Sequence, residues 1–254
     1  MAQLIKLDNY ISRYETDIYG YPGRFIQIKK QRWETMKKAR ETEQAADTAA
    51  SQDEWKTEFA EDVFFFQLRW ASSTLQMKSD LSRQYRLDRW LKFFLTRFPD
   101  NYLILYKPVF QIQKAEVELD ILMLSPVTLW CITLLESRDG TVFQGRSGRF
   151  WRTIENGKVT QTLNPLIANL RMYRLVTDWL KRTDGDVLPV RRALLSPSSF
   201  IEYPDAPGDV DLIDRTKARV WYEEQRKWKT PLKYVQLKTA DRLLRRCQTV
   251  ADER

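Results

Sequence analysis

Asp120 and Glu136 stand where carboxylates are least expected, each beside a run of apolar residues: Glu118-Leu119-Asp120-Ile121-Leu122-Met123-Leu124, and then Leu129-Trp130-Cys131-Ile132-Thr133-Leu134-Leu135-Glu136-Ser137-Arg138. An acid at the end of a hydrophobic strand is costly to desolvate unless it is paired, hydrogen-bonded or bound to a cation. Two of them one hairpin apart point to a metal-facing or phosphate-facing site. Glu136 and Arg138 are two apart, so strand alternation puts acid and base on one face.

The series Asp120 then Glu136-Ser137-Arg138 resembles the D…(D/E)xK signature of nucleases with the restriction-endonuclease-like fold. From Tyr102 to about Leu180 the chain is similar to the nuclease-related domain (NERD) family. There an aspartate-bearing strand is followed by a strand ending Glu-x-Lys-Asn, then a Gly, a Trp and an Asn-Pro helix start. The matching residues are Asp120, Glu136-Ser137-Arg138-Asp139-Gly140, Trp151 and Asn164-Pro165, in the family's order. The family also carries an acid on a helix before the first strand, for which Asp88 is the candidate. The resemblance implies a mixed β-sheet flanked by helices. It implies a catalytic set of Asp120, Glu136, Arg138 and Asp88. It also implies Mg²⁺ or Mn²⁺, if the site is active, on Asp120, Glu136 and the carbonyl of Ser137, with water completing an oxygen shell.

Two departures bear on activity: Arg138 stands where the family has Lys, and Ala168 stands where a Gln often follows the helix start. Arg does not deprotonate in proteins, so general-base catalysis at this position is excluded. A fixed charge and a donor fork still serve to stabilise a phosphate. Asn164 at a helix start, with Arg146, Arg149 and Arg152 nearby, completes a candidate substrate-binding set. A polar strand face is the simpler account of the three arginines.

With no His among 254 residues, histidine general bases, His-ligated zinc and Ser-His-Asp triads are excluded. Cys131 and Cys247 are too few for a metal cluster or a disulfide framework. The nine Trp read mainly as packing between elements. No segment is apolar enough to span a bilayer and the N-terminal residues lack a signal-peptide core, so a cytoplasmic protein is expected. The net charge of +8 is concentrated in residues 214–246, where eleven Lys or Arg face four Asp or Glu. With Trp221, Tyr222 and Trp228 interleaved, that segment suits phosphate contact and base stacking, or else forms the solvated face of amphipathic helices.

These residues must be held by an α/β fold: a restriction-endonuclease-like core with an added N-terminal helical region. The expected division is a helical extension over 1–84, a nuclease-related core over 85–213 and a basic helical segment over 214–254 packed on the core. Apolar spacing at Leu4, Leu7, Ile11 and Tyr14 predicts a helix from residue 3, a break at Tyr21-Pro22-Gly23, and a second helix to about 42. A polar connector at 41–53 leads to an apolar helix over 54–81 and another over 87–98. Strands are expected at 102–110, 117–124, 128–135, 141–144, 150–154, 159–162, 187–195 and 210–213. Helices follow from Asn164 to Thr183-Asp184-Gly185, at 217–227 and at 239–246.

Three functions fit this reading. The first is a metal-dependent nucleic-acid phosphodiesterase with Arg in place of Lys. The second is a degenerate site that binds nucleic acid, DNA more than RNA, without cleaving it. The third is an interaction scaffold whose N-terminal helices contact a protein partner or a second copy.

Overall fold

The computed structural model describes residues 1–43, 50–182 and 185–253. In chain order the first half comprises β1 (Gln3–Leu7), α1 (Arg13–Thr16), α2 (Tyr21–Glu43), α3 (Ala50–Trp70), β2 (Met77–Lys78), α4 (Arg83–Leu87), α5 (Arg89–Arg97), β3 (Leu103–Tyr106), β4 (Val109–Ile112), β5 (Ala115–Glu118) and β6 (Ile121–Leu124). The second half comprises β7 (Leu129–Leu134), β8 (Val142–Gln144), β9 (Phe150–Glu155), β10 (Lys158–Leu163), α6 (Pro165–Lys181), β11 (Val190–Leu195), β12 (Phe200–Glu202), β13 (Val210–Ile213), α7 (Arg215–Arg226), α8 (Tyr234–Leu244) and β14 (Asp252–Glu253).

Apolar runs in β3, β6 and β7 are buried on both faces, as strands covered by helices on each side must be. They form the middle of a six-stranded mixed sheet in the order β1-β3-β6-β7-β11-β13, antiparallel at β3-β6-β7 and parallel at β1-β3, β7-β11 and β11-β13. Alternation along the strands separates two cores. Ile104, Tyr106, Ile121, Met123, Trp130 and Ile132 pack with α5 and α7. Leu103, Leu105, Leu122, Leu124, Leu129 and Cys131 pack with α6 and α8. Each fully buried large apolar side chain contributes about 1.5–3 kcal/mol. Trp70, Trp90, Trp130, Trp151 and Trp221 are all buried, so packing is the role most tryptophans play. The fold is thus a mixed sheet flanked by helices, as expected. Among the described residues no helix is long and apolar enough to cross a membrane.

The N-terminal segment departs from expectation. Residues 3–7 form a strand, not a helix, and β1 pairs in parallel with β3 in the central sheet. The helix-like spacing at Leu4 and Leu7 misleads because Ile5 is buried too and Lys6 is fully buried, its charge held by Glu15 at 2.6 Å. The Tyr21-Pro22-Gly23 break is a helix start, since proline fits the first turn, where its missing N–H is not needed. The connector expected at 41–53 lies partly outside the described residues, as do Thr183 and Asp184 at the expected end of α6.

Other boundaries shift for local reasons. α3 stops at Trp70 because Ser73 turns its hydroxyl back onto the Arg69 carbonyl and Thr74 closes a turn with Met77. The 87–98 helix begins at Arg89, capped by Asp88. The 102–110 and 117–124 strands each bend in the middle: Pro108 has no N–H for the ladder and Lys107 has φ of 50°, so the β4-β5 hairpin leaves the main sheet. Asp120 therefore sits at the bend and not within a strand. α7 starts at Arg215 because Asp214 caps it, and α8 starts at Tyr234, five residues earlier than expected.

A second sheet, β10-β9-β8-β12, stands beyond the end of β7. It closes over a small core of Phe143, Trp151, Leu166 and Leu194. The Asn156-Gly157 turn joining β9 to β10 uses positive φ at both residues, 50° and 76°, the geometry that a two-residue hairpin turn requires.

Candidate functional site

Glu136, Ser137 and Arg138 follow directly on β7, whose ladder ends with Leu135 N–H donating to the Leu195 carbonyl at 2.9 Å. They open onto a cleft of about 1300 Å³. Its other walls are the start of α5 (Arg89, Trp90, Phe93), the β9–β10 turn (Glu155, Asn156, Lys158) and Ser198 of the loop after β11. Glu136 faces Arg89 at 3.8 Å, and Arg138 meets Glu155 at 3.1 Å. Glu136, Arg89 and Arg138 are well exposed, with side chains 57%, 68% and 80% accessible. Such pairs contribute about 0–1 kcal/mol and exchange readily for an incoming ligand.

The turn itself is built of hydroxyls. Ser137 and Ser199 share a hydrogen bond between their Oγ atoms, and Thr141 Oγ1 donates to the Arg138 carbonyl at 2.8 Å. The Ser137 carbonyl, expected to be a metal ligand, accepts from Ser198 Oγ at 3.4 Å.

Asp120 is absent from the cleft lining. Its carboxylate accepts a 2.6 Å hydrogen bond from Thr133 Oγ1, and Thr133 in turn accepts from the amide of buried Asn169 on α6 at 3.2 Å. Burial raises the Asp120 pKa, opposed by the Thr133 hydrogen bond and by Lys107. Glu136 opens toward α5, while this chain of hydrogen bonds ties Asp120 to the α6 side. Among the described residues no three acids or cysteines gather into a group able to hold a metal ion. Of the expected Asp120, Glu136 and Ser137 set, Glu136 and Ser137 line the cleft and Asp120 does not.

The remaining expected residues take structural positions. Asp88 Oδ1 accepts from the N–H groups of Trp90 and Leu91 at 2.9 Å each, capping α5, and both its oxygens lie 3.0 Å from the Tyr106 hydroxyl. It thereby fixes Arg89 and Trp90 at the cleft. Asn164 caps α6, accepting from Leu166 N–H and donating to the Gly148 carbonyl at 2.7 Å, so both ends of its amide are engaged in the local structure. Arg146 donates to the Phe150 carbonyl and Arg149 lies over the Phe150 ring. Neither these two nor Arg152 lines the cleft, whose cations are Arg89, Arg138 and Lys158. Arg89 and Lys158 were not foreseen in the sequence. Asn156-Gly157 was the available signal for Lys158, since that dipeptide marks a hairpin that brings Glu155 and Lys158 together.

No family model matches the chain, and no solved structure does. A 49-residue stretch is 53% identical to part of the RNA 2',3'-cyclic phosphodiesterase of Geobacillus stearothermophilus, covering 19% of this chain and 16% of that protein. The likeness concerns a segment of each and leaves most of both chains outside it.

Proposed function

We propose that this chain is a nuclease-related protein that binds the phosphodiester backbone of nucleic acid in the cleft at the end of β7. The observation that carries the reading is the position of Glu136-Ser137-Arg138. It stands at the mouth of a central strand, facing Arg89 and Lys158 for phosphate and the edges of Trp90 and Phe93 for bases. The order Asp120, Glu136-x-Arg138, Trp151, Asn164-Pro165 supports placing it beside the NERD family. Arg138 acts as a fixed charge and forked donor to a phosphate oxygen, and Arg89 opposes it across the cleft.

A second reading is phosphodiester hydrolysis. It is favoured by the short match to a phosphodiesterase. With no His in the chain, such chemistry would have to run without imidazole.

The test is fluorescence anisotropy on single- and double-stranded DNA and RNA across a salt series, run beside a cleavage assay with Mg²⁺ or Mn²⁺. The proteins are wild type, Arg138→Ala, Arg89→Ala, Glu136→Ala and Arg138→Lys. Binding that weakens steeply with salt and falls about tenfold in each Arg→Ala variant supports the backbone-binding reading. Cleavage lost in Glu136→Ala moves the conclusion to hydrolysis. Salt-independent or undetectable binding by wild type overturns both.

A further inference from the structure

Beside the cleft, α5 and α7 enclose a smaller hollow of about 370 Å³. Arg215, Arg219, Tyr222 and Arg226 recur at helical spacing along one face of α7, and Phe93 and Arg97 stand one turn apart on α5 opposite them. Phe93 and Tyr222 meet edge to face at 5.1 Å and form an apolar, partly buried floor. Glu223 also lines the hollow, and it is paired with Arg219 at 3.0 Å. Among the described residues Arg97, Arg215 and Arg226 have no carboxylate within ion-pair distance.

The two hollows differ in charge. In the large cleft Arg89, Arg138 and Lys158 are matched by Glu136, Asp139 and Glu155. In the small one four guanidiniums face a single acid. Three uncompensated guanidiniums around an aromatic floor are complementary to a phosphate attached to a flat, apolar group, since Arg presents paired donors to phosphate oxygens and aromatic rings accept a base. The volume lies near the lower end of small-molecule sites, roughly 300–1,000 Å³. That is room for one nucleotide and not for a duplex. Phe93 borders both hollows, and Pro197 and Ser198, adjacent in sequence, border one each. The surface is therefore continuous between them.

We propose that the α5–α7 hollow is a terminal-phosphate site. It takes a nucleotide carrying a terminal phosphate, either free or at the end of a single strand that crosses the cleft. The strand-end form rests on the nucleic-acid reading above, and the free-nucleotide form does not.

The experiment uses dye-labelled single strands ending in a 5'-phosphate, in a 3'-phosphate or in hydroxyls only, and adenosine 5'-monophosphate in calorimetry. The proteins are wild type, the Arg97→Gln/Arg226→Gln double variant and the charge-keeping Arg97→Lys/Arg226→Lys control. Both arginines are exposed, and matching melting curves establish that the variants fold. Wild type is expected to prefer a phosphate-ended strand about tenfold over the hydroxyl-ended one. The Gln pair should lose that preference and keep its affinity for the hydroxyl-ended strand, while the Lys pair retains most of it. Strand binding that ignores the terminal phosphate in wild type, or a preference untouched in the Gln pair, overturns the site while leaving the cleft reading intact. Nucleotide binding that is lost in the Gln pair, with no strand binding by any protein, supports the site and overturns the cleft reading. Absence of both overturns both.

Discussion

Thr133 on β7 donates its hydroxyl to the Asp120 carboxylate across the β6–β7 pair at 2.6 Å. This single hydrogen bond is the main local compensation for an acid whose burial raises its pKa. A folded-state pKa above the unfolded one means the folded chain binds the proton more tightly. The stabilisation this gives is fully present below the unfolded pKa and is lost as pH rises through the folded one. Asp120→Asn removes the ionisation and keeps an acceptor for Thr133. It is expected to raise the melting temperature relative to wild type more at pH 7 than at pH 4. Calorimetry at the two pH values checks this, and an equal or reversed difference would show that Asp120 is not strained by burial.

Asn169 is fully buried on α6 and its amide donates to the carbonyls of Cys131 and Ala193 as well as to Thr133. It stitches the helix to two neighbouring strands. Asn169→Ala removes these side-chain bonds while the strand carbonyls keep their ladder partners, at a cost of about 1–2 kcal/mol in urea unfolding. A change below about 0.5 kcal/mol would mean that the strand carbonyls do not depend on it.

The Lys6 ammonium is fully buried against Glu15 and also donates to Thr249 Oγ1 at 2.8 Å. Glu15→Ala strands that charge and is expected to cost about 3 kcal/mol, whereas Lys6→Met, which removes the charge and keeps the volume, should cost much less. Chemical unfolding of the two variants side by side decides it: equal losses would contradict the asymmetry.

Asp88 holds the start of α5 and, through it, the Arg89 wall of the cleft. Asp88→Ala should lose about 1–2 kcal/mol of stability. Asp88→Asn, which keeps an accepting oxygen, should lose less and leave oligonucleotide affinity unchanged. A large drop in affinity for Asp88→Asn with an unchanged melting temperature would instead place the carboxylate in contact with ligand.

The legible parts of the fold were those written in local signals. Continuous apolar runs marked β6 and β7, and Asn164-Pro165 marked the start of α6, where the asparagine caps and the proline occupies the first turn. β1 was hidden because Lys6 interrupts its apolar run, and only the distant Glu15 and Thr249 make a buried lysine tolerable there. The cleft was half legible. Glu136 and Arg138 stand out by spacing, but Arg89 joins them only because α5 docks on the far side of β3, a relationship no local pattern contains. Asp120 and Glu136 read as one site because they lie one hairpin apart. The bend at Pro108 and the Thr133 hydrogen bond hold Asp120 elsewhere.

The pairing of β1 with β3, and of Lys6 with Thr249 at a separation of 243 residues, also bears on the order in which the fold closes. β1 has no strand neighbour until the chain brings residues 103–106 beside it, and the Lys6 ammonium lacks one acceptor until Thr249 docks. Contacts of such long separation close late and slow the search for the native state. Folding must therefore close the whole segment between residues 7 and 103 before β1 gains a neighbour, which makes the addition of β1 a late step in completing the sheet.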